Sequence, residues 1–579
     1  MKSGNFDIKP LKTKIEDKIN SNKKIGMLTY IAAILVTICI STTIVYVATE
    51  DSRTEKHNIT VDKKGDEYLY KGDLDKAIEQ YNDIRGEKEG NDKLQALKNI
   101  KIADTYSLKG DLINYKKYID LAKEVKNQDD EVLNRIVFSQ YINGDVSTAL
   151  KEGDGALKVN PNNKQLTKTM IAVYMANGNI DGAKGLLDSY NVDKLSAYDL
   201  AEYSKILMTL GDYKKGLSTL KEAWIIDKDE LKIYDVLAQL SLYNKDKLIN
   251  GIKELQKTHT EELAYKMWLA KVYSLTPETS KEAENIILEL KNKVADSIEM
   301  KFIEAAILHN LGNDVEGEKL IEELLEKNPN DYRVLHTAAW QYLRKGKIQE
   351  AMDYCKRSIE QNESYPDNYA FLMPEILKHM ENASSPTPYY LKAILKEPYN
   401  YNILISAANY YWDSEQNSDK AIQYFSLAST IKPDEPEIKY SMALLYFNEK
   451  KDNEAVQALK ESIKLKAKSV KYHRTLGTVY LTIGKAKEGI EEIRTAFKYD
   501  EKDILTLNNA GCYYAMYTDD FNKANTNLKK AYEGINQSTD EYTKKIIKEN
   551  YDNVRAVIQK IQKGKSNESI IIPDFRLLY

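Results

Sequence analysis

The 579-residue sequence holds three cysteines, 12 prolines, 25 glycines and four tryptophans, and each scarcity removes a class of structure. Three cysteines cannot build a disulfide framework, and Cys39, Cys355 and Cys512 lie too far apart in sequence for a local cross-link. Cys355 and Cys512 are expected as reduced, packed thiols. Little Gly and Pro leaves little chain for long loops, so most of the chain should be helix. The charge is also nearly balanced, at −4. Residues 1–25 are basic, which leaves the remainder at about −8, an acidic body that excludes nucleic acid as the natural partner. The six histidines show no paired helical spacing of the H-E-x-x-H kind, and no Gly-rich phosphate loop is present. The expectation is a protein with no cofactor, no metal, no small-molecule substrate and no enzymatic activity of its own.

One long apolar run is present. From Ile25 to Ala48 no residue is charged, and 24 helical residues span roughly 36 Å, enough for a hydrocarbon core of about 30 Å. The run is too long for a cleaved signal peptide, and Val36, Thr37 and Ile38 before Cys39 do not form a lipobox. Lys9, Lys12, Lys14, Lys18, Lys23 and Lys24 precede it, and Glu50 and Asp51 follow. That asymmetry predicts a single-pass anchor with residues 1–24 cytoplasmic, 25–48 spanning, 49–57 as a juxtamembrane linker and the remainder extracytoplasmic. Heavy use of Lys, Ile, Asn and Tyr fits an AT-rich bacterial genome.

What remains is periodic. Gly65, Tyr68, Gly72, Ala77 and Tyr81 set a pattern that recurs about every 34 residues. Its fullest copy is Gly477, Tyr480, Gly484, Gly489, Ile493 and Ala496; Ala339, Tyr342, Gly346 and Ala351 repeat it, as do Ala443, Tyr446, Ala455 and Leu459. This pattern resembles the tetratricopeptide repeat family, whose unit has small residues at positions 8, 20 and 27, large apolar residues at 11 and 24, and Gly at 15. Unit starts fall near 58, 96, 130, 164, 197, 231, 263, 298, 332, 367, 401, 436, 470 and 504. The expected fold is therefore all-α: a transmembrane helix, a right-handed α-solenoid of about fourteen hairpins over 58–540, a capping helix over 541–564 and an apolar tail over 565–579. The units near 231, 263 and 367 depart most, with Lys245 or Pro277 at the turn and Pro374 inside a first helix, where it could kink the helix and make a joint. The tail cannot be helical through Pro573. It is expected to pack back on the array, with a linear motif offered to a partner or another copy as the alternative.

The resemblance also implies a binding surface. In that family, positions 2, 5, 9 and 12 of each first helix point into the concave face and are not needed for packing the unit. Here they hold Phe302, His336, Trp340, Phe371, Asn409, Trp412, Tyr440, Phe447, Arg474 and Asn508. Aromatic and Arg anchors flanked by amides suit an extended peptide. The competing expectation is that the array winds tightly enough to bury these residues against its own turns. The family's carboxylate clamp needs Lys at 5 and Asn at 9 of one unit; Asn409 is at 9 but Ile405 is at 5, so that clamp is not reproduced. The functional expectation is a membrane-anchored scaffold that binds proteins or peptides in a bacterial cell-envelope assembly. A cytosol-facing receptor and an accessory subunit of an envelope enzyme are the alternatives.

Overall fold

The computed structural model describes residues 61–84, 92–125, 129–259, 262–294, 296–381, 384–562 and 572–579, in two compact units, 1–132 and 133–579. Every regular element among the described residues is a helix. They pair into hairpins whose first helices begin at 61, 92, 130, 164, 197, 231, 263, 298, 332, 368, 401, 436, 470 and 504, and a long helix, Glu541–Gln562, follows the last pair. These starts match the expected frame to within a few residues. The expected anchor at 25–48 and linker at 49–57 lie outside the described residues. Among the described residues no helix is long and apolar enough to cross a membrane.

A two-residue signal builds five of the turns. At Gly110 (φ +77°) the chain enters the left-handed region, its N–H donates to the Ser107 carbonyl (3.0 Å), and the Asp111 N–H donates to the Tyr106 carbonyl (2.9 Å). This closes the first helix in a Schellman turn. The Asp111 carboxylate then accepts the Asn114 N–H (3.0 Å) and caps the second helix. Gly72–Asp73, Gly144–Asp145, Gly178–Asn179 and Gly211–Asp212 repeat the device. Where no glycine stands, Lys450, Gln416 and Asp519 take the positive φ instead.

In unit 1, Tyr81 fills the gap between helices 61–70 and Leu74–Asn82, and a Cβ on Gly65 would lie 2.4 Å from its ring. Its hydroxyl donates to Asp66 (2.6 Å), which also takes the Lys101 ammonium at 2.9 Å.

In unit 2 the hairpin Val470–Thr482 with Ala486–Tyr499 shows why small residues recur. A Cβ on Gly477 would stand 2.7 Å from Ile493 Cγ1 and 2.8 Å from the Gly489 carbonyl oxygen, and one on Gly489 would meet Leu481 at 2.6 Å. The helices cross at these two glycines. Large apolar side chains such as Tyr472 and Leu476 fill the space toward the preceding hairpin.

Unit 2 also turns back on itself. The Tyr141 hydroxyl donates to the Pro398 carbonyl (3.2 Å), Gln165 Nε2 to the Leu395 carbonyl (2.6 Å), and the Tyr243 hydroxyl to the Ile431 carbonyl (2.8 Å). Gln239 Nε2 reaches Asp367 (3.1 Å), and Asn400 and Asn402 both donate back to Gln239. One apolar core accordingly mixes residues from the hairpins at 130 and 164 with those at 401 and 436.

The departures of the repeat take definite forms. Near 231 the two helices merge over Leu231–Thr258 except at Asn244 (φ −160°, ψ 81°), next to the Lys245 that replaces the turn glycine. At Pro277 a 3₁₀ turn, Pro277–Thr279, joins the helices. The first helix at 368 starts as a π turn, Asn368–Leu372, and becomes α over Met373–Lys378. Pro374 has no N–H to give and its ring crowds the preceding turn, which the wider π turn accommodates. Pro374 is buried inside unit 2, and the boundary between the units falls at 132.

Candidate functional site

The ten residues expected on the concave face divide into three sets. Trp340, Phe371 and Asn409 come together. They stand on three successive first helices, at Tyr332–Arg344, the π turn Asn368–Leu372 and Tyr401–Asp413, and line one open groove of about 840 Å³ with Pro374, Tyr390 and Tyr410. Asn409 is exposed and Trp340 and Phe371 half-buried, so two aromatic faces and an amide are presented together. Glu375, Lys378 and Asp413 give the rim charges of both signs.

His336 supports this groove from beneath. Trp340 Nε1 donates to its Nε2 (3.2 Å), and its other nitrogen meets Asn368 Oδ1 at 2.8 Å. An imidazole that accepts on Nε2 carries its proton on Nδ1, so it is the neutral tautomer. Burial pushes its pKa down to about 4, against the raising effect of Asn368. Asn368 continues the chain to the Ser358 hydroxyl (2.9 Å), which donates to the Tyr332 carbonyl (2.8 Å). The indole of Trp340 is therefore fixed in orientation. His309 pairs with Asp314, away from this chain of hydrogen bonds.

A second set is absorbed by packing, as the competing expectation held. Phe302 is buried and forms part of the wall of a smaller recess with His309, Gln341 and Arg344. Trp412 lies edge-on to Phe425 at 6.1 Å, and Tyr440 stacks near Tyr472 with the Lys471 ammonium 4.1 Å from its ring centre. Arg474 is buried and donates to Asp503 (2.7 Å). Tyr440 and Arg474 are bound to the next hairpin and Trp412 to the second helix of its own, and none of the four lines the groove.

The third set, Phe447 and Asn508, meets residues 572–579. This segment lies extended against the helices Val470–Thr482, Ile504–Tyr517 and Glu541–Gln562. Asn550 accepts the Arg576 N–H (3.0 Å) and donates to the Arg576 carbonyl (2.8 Å). Asn509 does the same for Leu578, accepting its N–H at 2.8 Å and donating to its carbonyl at 2.5 Å. Asn508 and Thr478 add donors to the Arg576 and Leu578 carbonyls (3.1 and 3.2 Å), and Asn553 to that of Asp574 (3.1 Å). Phe575 is buried in a cluster with Cys512, Leu528 and Val554, Leu578 in one with Leu507 and Ile547, and Tyr579 meets Phe447 edge-on at 6.0 Å. The apolar tail packs back on the array.

Thr478, Asn509, Asn550 and Asn553 were missed by sequence reasoning. Asparagine is a poor helix former unless its amide has a partner. The adjacent Asn508 and Asn509 in one helix, and Asn550 and Asn553 in another, were the available signal. Cys355 and Cys512 are both buried free thiols, and burial pushes the Cys355 pKa up to about 12, which makes it inert.

Residues 436–469 match the tetratricopeptide repeat model. No curated protein matches the sequence. Among solved structures, the chain is similar to the APC/C hetero-tetramer Cut9–Hcn1 (14% identity, 85% of this chain and 96% of that one, TM-score 0.36). It is also similar to Naa15/Naa10 bound to HypK-THB (14%, 89% and 93%, TM-score 0.37) and to yeast Tom70 (14%, 88% and 98%, TM-score 0.28). Residues 436–469 thus carry a tetratricopeptide repeat unit, set in a run of helical hairpins that extends on either side of it.

Proposed function

We propose that the chain is a membrane-anchored scaffold that binds a protein or peptide segment in the groove of Trp340, Phe371 and Asn409. The observation that carries this reading is the convergence of two half-buried aromatics and an exposed amide from three successive repeats on one open groove. Aromatic anchors gain most from desolvation by a partner, and the amide serves the partner's backbone. His336 holds Trp340 in place before binding, which lowers the ordering cost. The uncharged run 25–48 with its Lys-rich upstream flank supports an anchor that places the repeats on the outer face of a bacterial cytoplasmic membrane, in an envelope assembly. There, anchoring concentrates weak partners.

A photo-crosslinking residue at Asn409 in cells tests the groove. Adducts should form at position 409 and be lost in Trp340→Ala/Phe371→Ala, while a crosslinker at the exposed Asn522 gives none. Adducts that persist in the folded double variant would sink the reading. Impermeant thiol labelling of Cys355 and Cys512 after mild unfolding of intact cells tests the topology, and protection of both thiols would refute an outer location.

A further inference from the structure

The way residues 572–579 are held is that of a ligand in a receptor. Most of the polar contacts are made to backbone: Asn550 and Asn509 each close a two-bond ring with the N–H and C=O of one residue, and those residues, Arg576 and Leu578, are two apart. An extended strand presents both groups of alternate residues on one side, so the two asparagines read the segment as a neighbouring β-strand would. Specificity beyond the backbone comes from two side chains, Phe575 and Leu578, both buried, whereas Arg576 is exposed. The receptor side is costly to leave empty. Asn508, Asn509 and Asn550 are buried, and without the segment several of their amide groups would lose their partners.

We propose that the groove between Val470–Thr482, Ile504–Tyr517 and Glu541–Gln562 is a second peptide-binding site, selective for extended segments of the form Phe-x-x-Leu. Residues 572–579 are its resident ligand, and a partner segment of the same chemistry enters by displacing them. The site is separate from the Trp340 groove and does not depend on it. Nine residues, 563–571, connect the segment to the end of Glu541–Gln562, so its effective concentration at the groove is on the order of millimolar. An incoming segment therefore competes against a strong resident.

The test uses the full chain and a fluorescent, end-capped peptide of residues 572–579. Full-chain Phe575→Ala/Leu578→Pro, which removes both side-chain anchors and one N–H, should bind the peptide at least about tenfold more tightly than the parent chain. A peptide N-methylated at Arg576 and Leu578 should not bind, because the two N–H donors are gone while the protein is untouched. In the parent chain, amide hydrogen exchange at Arg576 and Leu578 should be slow and should accelerate when excess unlabelled peptide is added. Equal peptide binding by parent and variant, undiminished binding of the N-methylated peptide, or fast exchange at Arg576 and Leu578 in the parent chain each overturns the proposal. A dimeric parent chain that becomes monomeric in the variant would show that the segment is exchanged between copies, which overturns the intramolecular form. Loss of crosslinks at Asn409 bears on the other groove alone.

Discussion

Lys205 and Glu397 form a buried ion pair across 192 residues of sequence, with Nζ 2.6 Å from Oε2. Lys232 reaches the other carboxylate oxygen, and Asn400 donates to Oε2 as well (2.7 Å). Burial alone would raise the Glu397 pKa, but the two ammonium groups outweigh it and hold the carboxylate ionised. Burial pulls the Lys205 pKa down, whereas at Lys232 burial is outweighed by Glu397 together with Tyr198 and Glu202, which leaves its pKa well above the ordinary value. This one carboxylate thus neutralises the joint between the hairpins at 197 and 231 and the one at 368.

Glu397→Gln should destabilise unit 2 by about 3–5 kcal/mol, because it leaves two buried ammonium groups facing a neutral amide. Lys205→Met should cost less, since Lys232 still balances Glu397. Urea midpoints of the two variants check the order, and a larger loss for Lys205→Met would refute the account.

His336 predicts an acid-side loss of stability. Its folded pKa, about 4, lies below the ordinary 6.5, so the unfolded chain binds the extra proton first. Its contribution is present in full above 6.5 and declines as pH falls from 6.5 to about 4, at up to about 1.4 kcal/mol per pH unit. The difference in unfolding free energy between the parent and His336→Gln, followed from pH 7.5 to 4, should shrink by that slope; a constant difference would contradict it.

Glu299 predicts the opposite. Its carboxylate is fully buried, neither oxygen has a hydrogen-bond partner among the described residues, and burial, only partly offset by Lys271 and Arg333, pushes its pKa up to about 8. The folded state therefore holds a proton that the unfolded state releases above 4.5, and stability is lost as pH rises from 4.5 to about 8. Glu299→Gln should match the parent at pH 4.5 and exceed it by a few kcal/mol at pH 8, read as thermal midpoints at both values.

The repeat's small positions predict a pair of glycine effects. Gly477→Ala forces a methyl group against Ile493 and the Gly489 carbonyl and should cost about 1–3 kcal/mol. Gly155→Ala, in the exposed face of Val146–Val159 with nothing within 4 Å, should stabilise by about 0.5–1 kcal/mol. Chemical denaturation of the two variants separates a packing requirement from a general intolerance of alanine.

The hairpins and their frame were legible because a repeat writes its neighbour contacts into every unit: Gly477 and Gly489 face each other at a crossing the period marks. Trp340, Phe371 and Asn409 were legible for the same reason, as large or amide side chains at places the hairpin does not use. The closure was not. A period of 34 records which hairpin follows which and says nothing about hairpins that meet four or more units later. Its trace is electrostatic: Lys168, Lys205 and Lys232, all on first helices, are buried and answered by Glu202 and Glu397. Tyr440 and Arg474 are taken up nearer at hand, by Tyr472 and Asp503 of the next hairpin, whereas Asn508 was legible as a binding residue without its ligand, which lies some 70 positions further on.

Contacts such as Lys205 with Glu397 set a timetable for synthesis. An open array of hairpins can fold from its first unit as it leaves the ribosome, each new hairpin completing the last. Here the lysine waits for 192 further residues, roughly 10–40 s at translation rates of about 5–20 residues per second. Over that interval the hairpins at 130 to 231 display an unpaired cationic and apolar face. That face is covered only when the hairpins beginning at 368 and 401 arrive, so the nascent chain passes through a stage open to misassembly that an open array would not have.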